Sequence, residues 1–408
     1  MINWKRNLVM VWLSQFFSIL GFCVAMPFFP FYIQELGVKE PGAVKLWVAL
    51  ISAAGPLTMA VFAPIWGVVA DKYGRRLMML RANFGGAICV ALMGTVPNVE
   101  WLLVLRLIQG TLTGTVTAAQ TLVSVHTPNN RSGLALGILS TAVFTGGMAG
   151  NFVGGVLAEV YGYRPVFYLS GVVLLLATLL ILFGVQEEFE PRKTRNRWRS
   201  FKVGVARVSA AWSILALIGM MALSRQFDRS MFPLFVQEVK GGAIKGAALW
   251  TGSLNAMGGI AALLAGIVLG WLADWISPSK IGKWSALCAG LLMIPHGLVG
   301  GFWSMAGIRF CIVFCAGGLD PVFQIWLAKV TPAKSRGILF GWALTAKCIG
   351  WTLAAFLSAY VAEELGLRRM YFVGAGIFLM LIPMIGFVVH TMGLSSDSTD
   401  DSKDTVEV

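Results

Sequence analysis

The chain has 408 residues, 57% of them hydrophobic and only 12% charged, with a mean hydropathy of +0.76. A soluble globular domain carries about 25% charged residues, so a water-soluble fold is excluded. The formal charge of +13 would fit a nucleic-acid partner only if it were gathered into a patch, and it is not.

In chain order, basic Lys5-Arg6 precedes apolar blocks at Leu8–Ile33, Trp47–Ala70, Trp101–Val125, Gly133–Val160 and Val166–Val185. Each is near the ~20 residues an α-helix needs to cross hydrocarbon. Lipid offers backbone polar groups no partner, so these blocks must be helical. Barrel strands would alternate over ~10 residues, and these blocks do not. Twelve spans are expected near 8–34, 46–70, 77–96, 101–125, 133–160, 166–186, 211–237, 247–273, 284–302, 306–329, 337–361 and 370–392. The first lacks a short apolar core with a small-residue cleavage site, so it is expected to be a retained span rather than a signal peptide. All six cysteines fall inside spans, which argues against a disulfide framework.

With the N-terminus cytoplasmic, twenty basic residues lie in inside segments, against seven outside (Lys39, Lys45, Arg164, Lys240, Lys245, Arg368, Arg369). This positive-inside bias predicts both termini in the cytoplasm of a multi-pass plasma (cell inner) membrane protein. The surplus charge is then topological and needs no nucleic acid. Residues 187–210 open with Glu187 and Glu188, then carry seven basic residues. They read as a cytoplasmic linker lying on anionic lipid, joining six-helix bundles at 1–186 and 211–393. The Ser/Asp-rich end, 394–408, reads as a disordered acidic tail.

The two bundles repeat each other. Pro30-Phe-Tyr-Ile-Gln34-Glu35 returns as Pro233-Leu-Phe-Val-Gln237-Glu238 at an offset of 203, and Arg106 matches Arg309. At an offset of 204, Gly146 matches Gly350, Glu159 matches Glu363, and Gly162-x-Arg164 matches Gly366-x-Arg368. Six spans per copy make this a parallel repeat, the transporter architecture with a substrate site between the copies near mid-membrane.

The loop after span 2 reads Gly67-Val-Val-Ala-Asp71-Lys-Tyr-Gly74-Arg75-Arg76. It resembles the signature of the major facilitator superfamily at every defined position. Gly67 is expected to let two helices approach and Gly74 to permit a tight turn. Asp71 can face a helix N-terminus, and Arg75 and Arg76 can hold carboxylates or lipid phosphates. The resemblance implies a cytoplasmic latch; a basic turn serving topology alone is the alternative. Span 5 carries Gly137, Gly146, Gly150-Asn151 and Gly154-Gly155, similar to the antiporter motif of proton-coupled drug exporters, with Asn151 where that family has proline. Glycines at this spacing also serve close helix packing alone. Over its whole length the chain resembles the twelve-span drug:proton antiporter family, most of all its MdtG-type multidrug exporters.

Charges left inside spans are costly, about 2.5–3.5 kcal/mol each on insertion scales, and are functional candidates by default. In span 7, Asp228 is the candidate proton carrier, with Arg225 three residues earlier on one helix face and Arg229 adjacent. Asp320 in span 10 and Lys347 in span 11 lie at equal depth, ~15 Å from their cytoplasmic ends, so a buried pair is expected, as switch or staple. Arg106, in Arg106-Leu-Ile-Gln109-Gly110, resembles the family's R-x-x-[QG]-G motif, associated there with proton movement; snorkelling to the membrane surface is the other reading. Gln120, Asn255, Phe323, Gln324 and Trp326 are the cavity candidates, a mostly apolar set with a few polar groups. His126, His296 and His390 sit near span ends without metal spacing and read as interfacial.

No nucleotide-binding loop occurs, so no cofactor is expected and an ion gradient must supply the energy. The reading is secondary active, proton-coupled efflux of amphipathic or drug-like small molecules by a monomer in lipid. Uptake symport of a metabolite is the alternative in the same fold. No constellation of catalytic side chains within the spans supports an enzyme, and no sizeable extramembrane domain supports a receptor.

Overall fold

The computed structural model describes residues 3–189, 209–272, 275–317, 319–320, 323 and 336–391. Every regular element among them is helical. Span 1 is α1 (Trp4–Ala25) and α2 (Phe29–Glu35), parted by a 3₁₀ turn at Met26–Phe28 where Pro27 interrupts the helix. Spans 2 and 3 are α3 (Pro41–Tyr73) and α4 (Arg75–Met93). Span 4 is α5 (Val99–Leu112) and α6 (Thr115–His126), broken at Gly114, whose φ of +121° suits glycine. Spans 5 and 6 are α7 (Ser132–Tyr161) and α8 (Tyr163–Gly184). Span 7 is α9 (Ser209–Gln226) and α10 (Phe232–Val239), and span 8 is α11 (Ala247–Leu272). Spans 9 to 12 are α12 (Pro278–Gly297), α13 (Phe302–Gly317), α14 (Arg336–Glu364) and α15 (Leu367–Thr391).

Among the described residues nine helices are long and apolar enough to cross a membrane. The expected spans missing from that number are 7, 9 and 10. Span 7 is split near Asp228, α12 carries Lys280 and Lys283, and much of span 10 lies outside the described residues. Trp271, Trp275 and Trp284 are exposed where spans 8 and 9 meet, and Trp101 and Trp303 at the starts of spans 4 and 10 on the other face. Such aromatics sit at membrane–water boundaries. Below, the face where α1 begins and α8 ends is the terminus face; the face where α2 ends is the far face.

The sequence repeat has counterparts in packing. Gly162 and Gly366 both turn at positive φ (81° and 86°) between paired spans. Arg164 then reaches Glu35 at 3.8 Å and donates to the Val96 carbonyl at 3.2 Å; its mate Arg368 reaches Glu238 at 3.1 Å and donates to Val299 at 3.0 Å. A Cβ on Gly146 would stand 2.6 Å from the Phe16 carbonyl oxygen, and one on Gly350 would overlap that of Gly219. Both glycines bring the backbones of the first and fifth helical spans of their bundle together, α7 on α1 and α14 on α9, where apolar side chains gain nothing by leaving lipid.

Candidate functional site

Asp228 and Arg309 form an ion pair, 2% and 8% exposed. The expected neighbours of Asp228 were Arg225 and Arg229; the structure corrects this. α9 ends at Gln226 and α10 begins at Phe232, so Asp228 lies in the break, and spacing along a continuous helix no longer applies. Arg225 instead reaches Asp320 at 3.1 Å, and Lys347 bonds the other carboxylate oxygen of the same residue. Asp320 and Lys347 do meet, with a second cation attached. Arg229 is exposed and donates to Gln226 at 3.2 Å.

Arg106 does not snorkel outward. Its guanidinium bonds Gln109, the Ile51 carbonyl at 3.3 Å and the Met26 sulfur at 3.1 Å, and lies 5.4 Å over Phe29. Its repeat mate Arg309 has a carboxylate because the mate of Ala25 is Asp228; around Arg106 the acceptors are neutral. Arg81 sits within α4. It donates to the carbonyls of Leu112 and Thr113, freed by the break in span 4, and stacks 3.6 Å from the Trp66 ring centre.

At the terminus face, Gly74 turns at φ +92°. Arg75 bonds Asp71, and Arg76 donates to the Leu182 carbonyl at 2.6 Å, covering the end of α8. Sequence reasoning missed Glu187, taken as the start of a solvated linker. Its carboxylate accepts from the backbone amides of Arg75 and Arg76 at 2.8 and 2.7 Å, capping α4. The signal was present: an acid directly after span 6, on the same face as the turn. The expected close approach at Gly67 is not seen; no described atom lies within 4 Å of a Cβ placed there, nor of one on Gly133, Gly137 or Gly341.

The remaining span 5 glycines are closely packed. Gly146, Gly150 and Gly154 press on the backbone of α1, and Gly155 and the Asn151 carbonyl on Gly252 of α11. The Asn151 side-chain oxygen is buried without a hydrogen-bond partner among the described residues. Of the cavity candidates, Gln120 is exposed, Asn255 half-buried and Phe323 buried, while Gln324 and Trp326 lie outside the described residues. Among the described residues, polar side-chain contacts between the first six spans and the last six cluster at the far face. Repeat mates Gln34 and Gln237 exchange amide hydrogen bonds at 3.0 and 3.2 Å. Glu159 accepts from the Gly246 amide at 2.6 Å, and its mate Glu363 pairs with Lys45 at 2.8 Å. Gln34 and Gln237 therefore meet on the pseudo-two-fold axis, flanked by two acids in related places.

The family model for the Major Facilitator Superfamily matches residues 11–305. The chain belongs to the major facilitator superfamily. It is a transporter, not an enzyme. Curated relatives of this superfamily member include a protein named multidrug resistance protein MdtG in Salmonella arizonae, 34% identical over 93% of this chain and 94% of its own length. A protein of that name in Proteus mirabilis is 32% identical over 93% and 95%. In fold, the chain resembles a solved point mutant of the nucleoside transporter NupG, with a TM-score of 0.76 at 14% identity, covering 93% of this chain and 99% of the other. It also resembles the human organic anion transporter MFSD10, with a TM-score of 0.71 at 16% identity, over 94% and 100%.

Proposed function

We propose that the chain exports amphipathic, drug-like small molecules in exchange for protons. The observation that carries the coupling is the Asp228–Arg309 pair, buried in a break of span 7. A carboxylate there is stable while paired and can take up a proton when its surroundings change. Asp320, shared by Arg225 and Lys347, is the second candidate, tying spans 7, 10 and 11 together. The relatives named for multidrug resistance supply the substrate class, and the span 5 glycine contacts favour exchange over uptake.

In this reading the bundles are 1–186 and 211–393, joined by the linker 187–210. The basic bias supports cytoplasmic termini, and this reading takes the membrane to be the cell inner membrane. The far face is then outside, and the amide pair with its flanking acids holds the two bundles together there. The chain works as a monomer, with small molecules, protons and membrane lipids as its partners. Cells expressing it should accumulate less ethidium than cells with an empty vector, and a protonophore should remove the difference. Equal accumulation, or export that survives the protonophore, contradicts the reading.

A further inference from the structure

Beside the Asp228–Arg309 pair lies a polar group that this coupling scheme leaves unused. His296 closes α12 and Tyr371 lies near the start of α15, and both are wholly buried. The expectation of an interfacial His296 is thus corrected: it sits near a helix end but inside the bundle. Neither of its ring nitrogens, nor the Tyr371 hydroxyl, has a hydrogen-bond partner among the described residues. Their rings lie 4.6 Å apart, with Phe235 5.6 Å and Phe232 6.2 Å from His296. The Arg309 guanidinium lies 4.2 Å over that same Phe232. The charges of Asp228 and Arg309 act on Tyr371, and that of Arg309 on His296. The other charged groups nearby are Arg368, which donates to the Gly297 and Val299 carbonyls, and Glu238, its ion-pair partner.

The repeat sharpens the contrast. The mates of Phe235, His296 and Tyr371 are Tyr32, Met93 and Phe167, and there the one phenol is satisfied: Tyr32 donates to the Met93 carbonyl at 2.8 Å. Buried polar groups without partners are uncommon and costly. Three such atoms beside one ion pair are explained if another state of the molecule uses them.

We propose that His296 and Tyr371 are the alternate partners of Arg309. The proposal rests on the coupling reading above. A proton arriving from the far face settles on an Asp228 carboxylate oxygen, and the ion pair loses its attraction. Arg309 keeps its charge and swings to donate to the neutral His296 ring and the Tyr371 oxygen. His296 stays neutral throughout, since an imidazolium would repel the guanidinium. Both are positioning residues: they hold the cation while the acid carries the proton.

The test uses the full chain, its six cysteines replaced, with spin labels on exposed far-face positions Lys39→Cys and Ile244→Cys. The label–label distance is followed against pH. It should lengthen on acidification, and Asp228→Asn should abolish the response. Tyr371→Phe, which removes only the hydroxyl, and His296→Phe should each move the midpoint about one pH unit toward acid, because the protonated state loses an acceptor. His296→Gln, which keeps an acceptor, should fall between His296→Phe and the parent. If both phenylalanine variants titrate like the parent while Asp228→Asn does not respond, partner exchange is wrong and the coupling reading stands. If the parent distance ignores pH, or Asp228→Asn titrates normally, the coupling reading fails and takes the proposal with it.

Discussion

Arg309→Met alone should cost about 3–5 kcal/mol of stability, and Asp228→Leu alone a comparable amount. The double replacement should recover most of that loss. Each single change strands a charge that is under one-tenth exposed, in a setting where water cannot substitute for the missing partner. Removing both charges leaves apolar side chains of similar size in a helical bundle, which can be close to neutral. Thermal unfolding of the detergent-purified variants, read by the fraction eluting as a single species after heating, measures the difference. Additive losses in the double variant would mean that Asp228 and Arg309 act separately, against the geometry.

Gly154→Ala should be the most damaging single-methyl change in span 5. A Cβ there would overlap the Val24 carbonyl oxygen and stand 2.8 Å from the Phe28 ring. Backbone cannot rotate away as a side chain can, so α1 and α7 would have to separate, at a cost of about 1–3 kcal/mol or more. Gly137→Ala, in the same stripe, meets no described atom within 4 Å and should stay within about 0.5 kcal/mol of the parent. Expression level and ethidium export of the two variants, compared side by side, check this. Equal tolerance at both positions would separate the glycine stripe from α1–α7 packing.

Hydropathy located the helices because a span's length and depth are written along its sequence. The repeat offsets likewise anticipated paired features, and Gly146 with Gly350, or Arg164 with Arg368, occupy matching contacts. Equal depth on consecutive helices also anticipated the meeting of Asp320 and Lys347. Depth, however, does not give rotation about the helix axis or lateral position in the bundle. Asp228 was assigned to Arg225 by a helical spacing that the break before Phe232 removes. His296 was assigned to the membrane surface because it ends a helix, although that end is enclosed by Phe232, Phe235 and Tyr371. Gly67 was expected to pack closely, yet its described surroundings are open. Glu187 was hidden in a charged linker because only the folded turn brings it to the α4 amides.

Proton movement in everted membrane vesicles with an acidified interior tests the central claim most directly. Adding ethidium outside should raise the interior pH when the vesicles contain the parent chain, and Asp228→Asn should give no rise despite equal expression. An amphipathic anion, 8-anilinonaphthalene sulfonate, run alongside reports how far the substrate class extends. No ethidium-dependent proton movement through the parent chain, or an undiminished response from Asp228→Asn, would contradict the account.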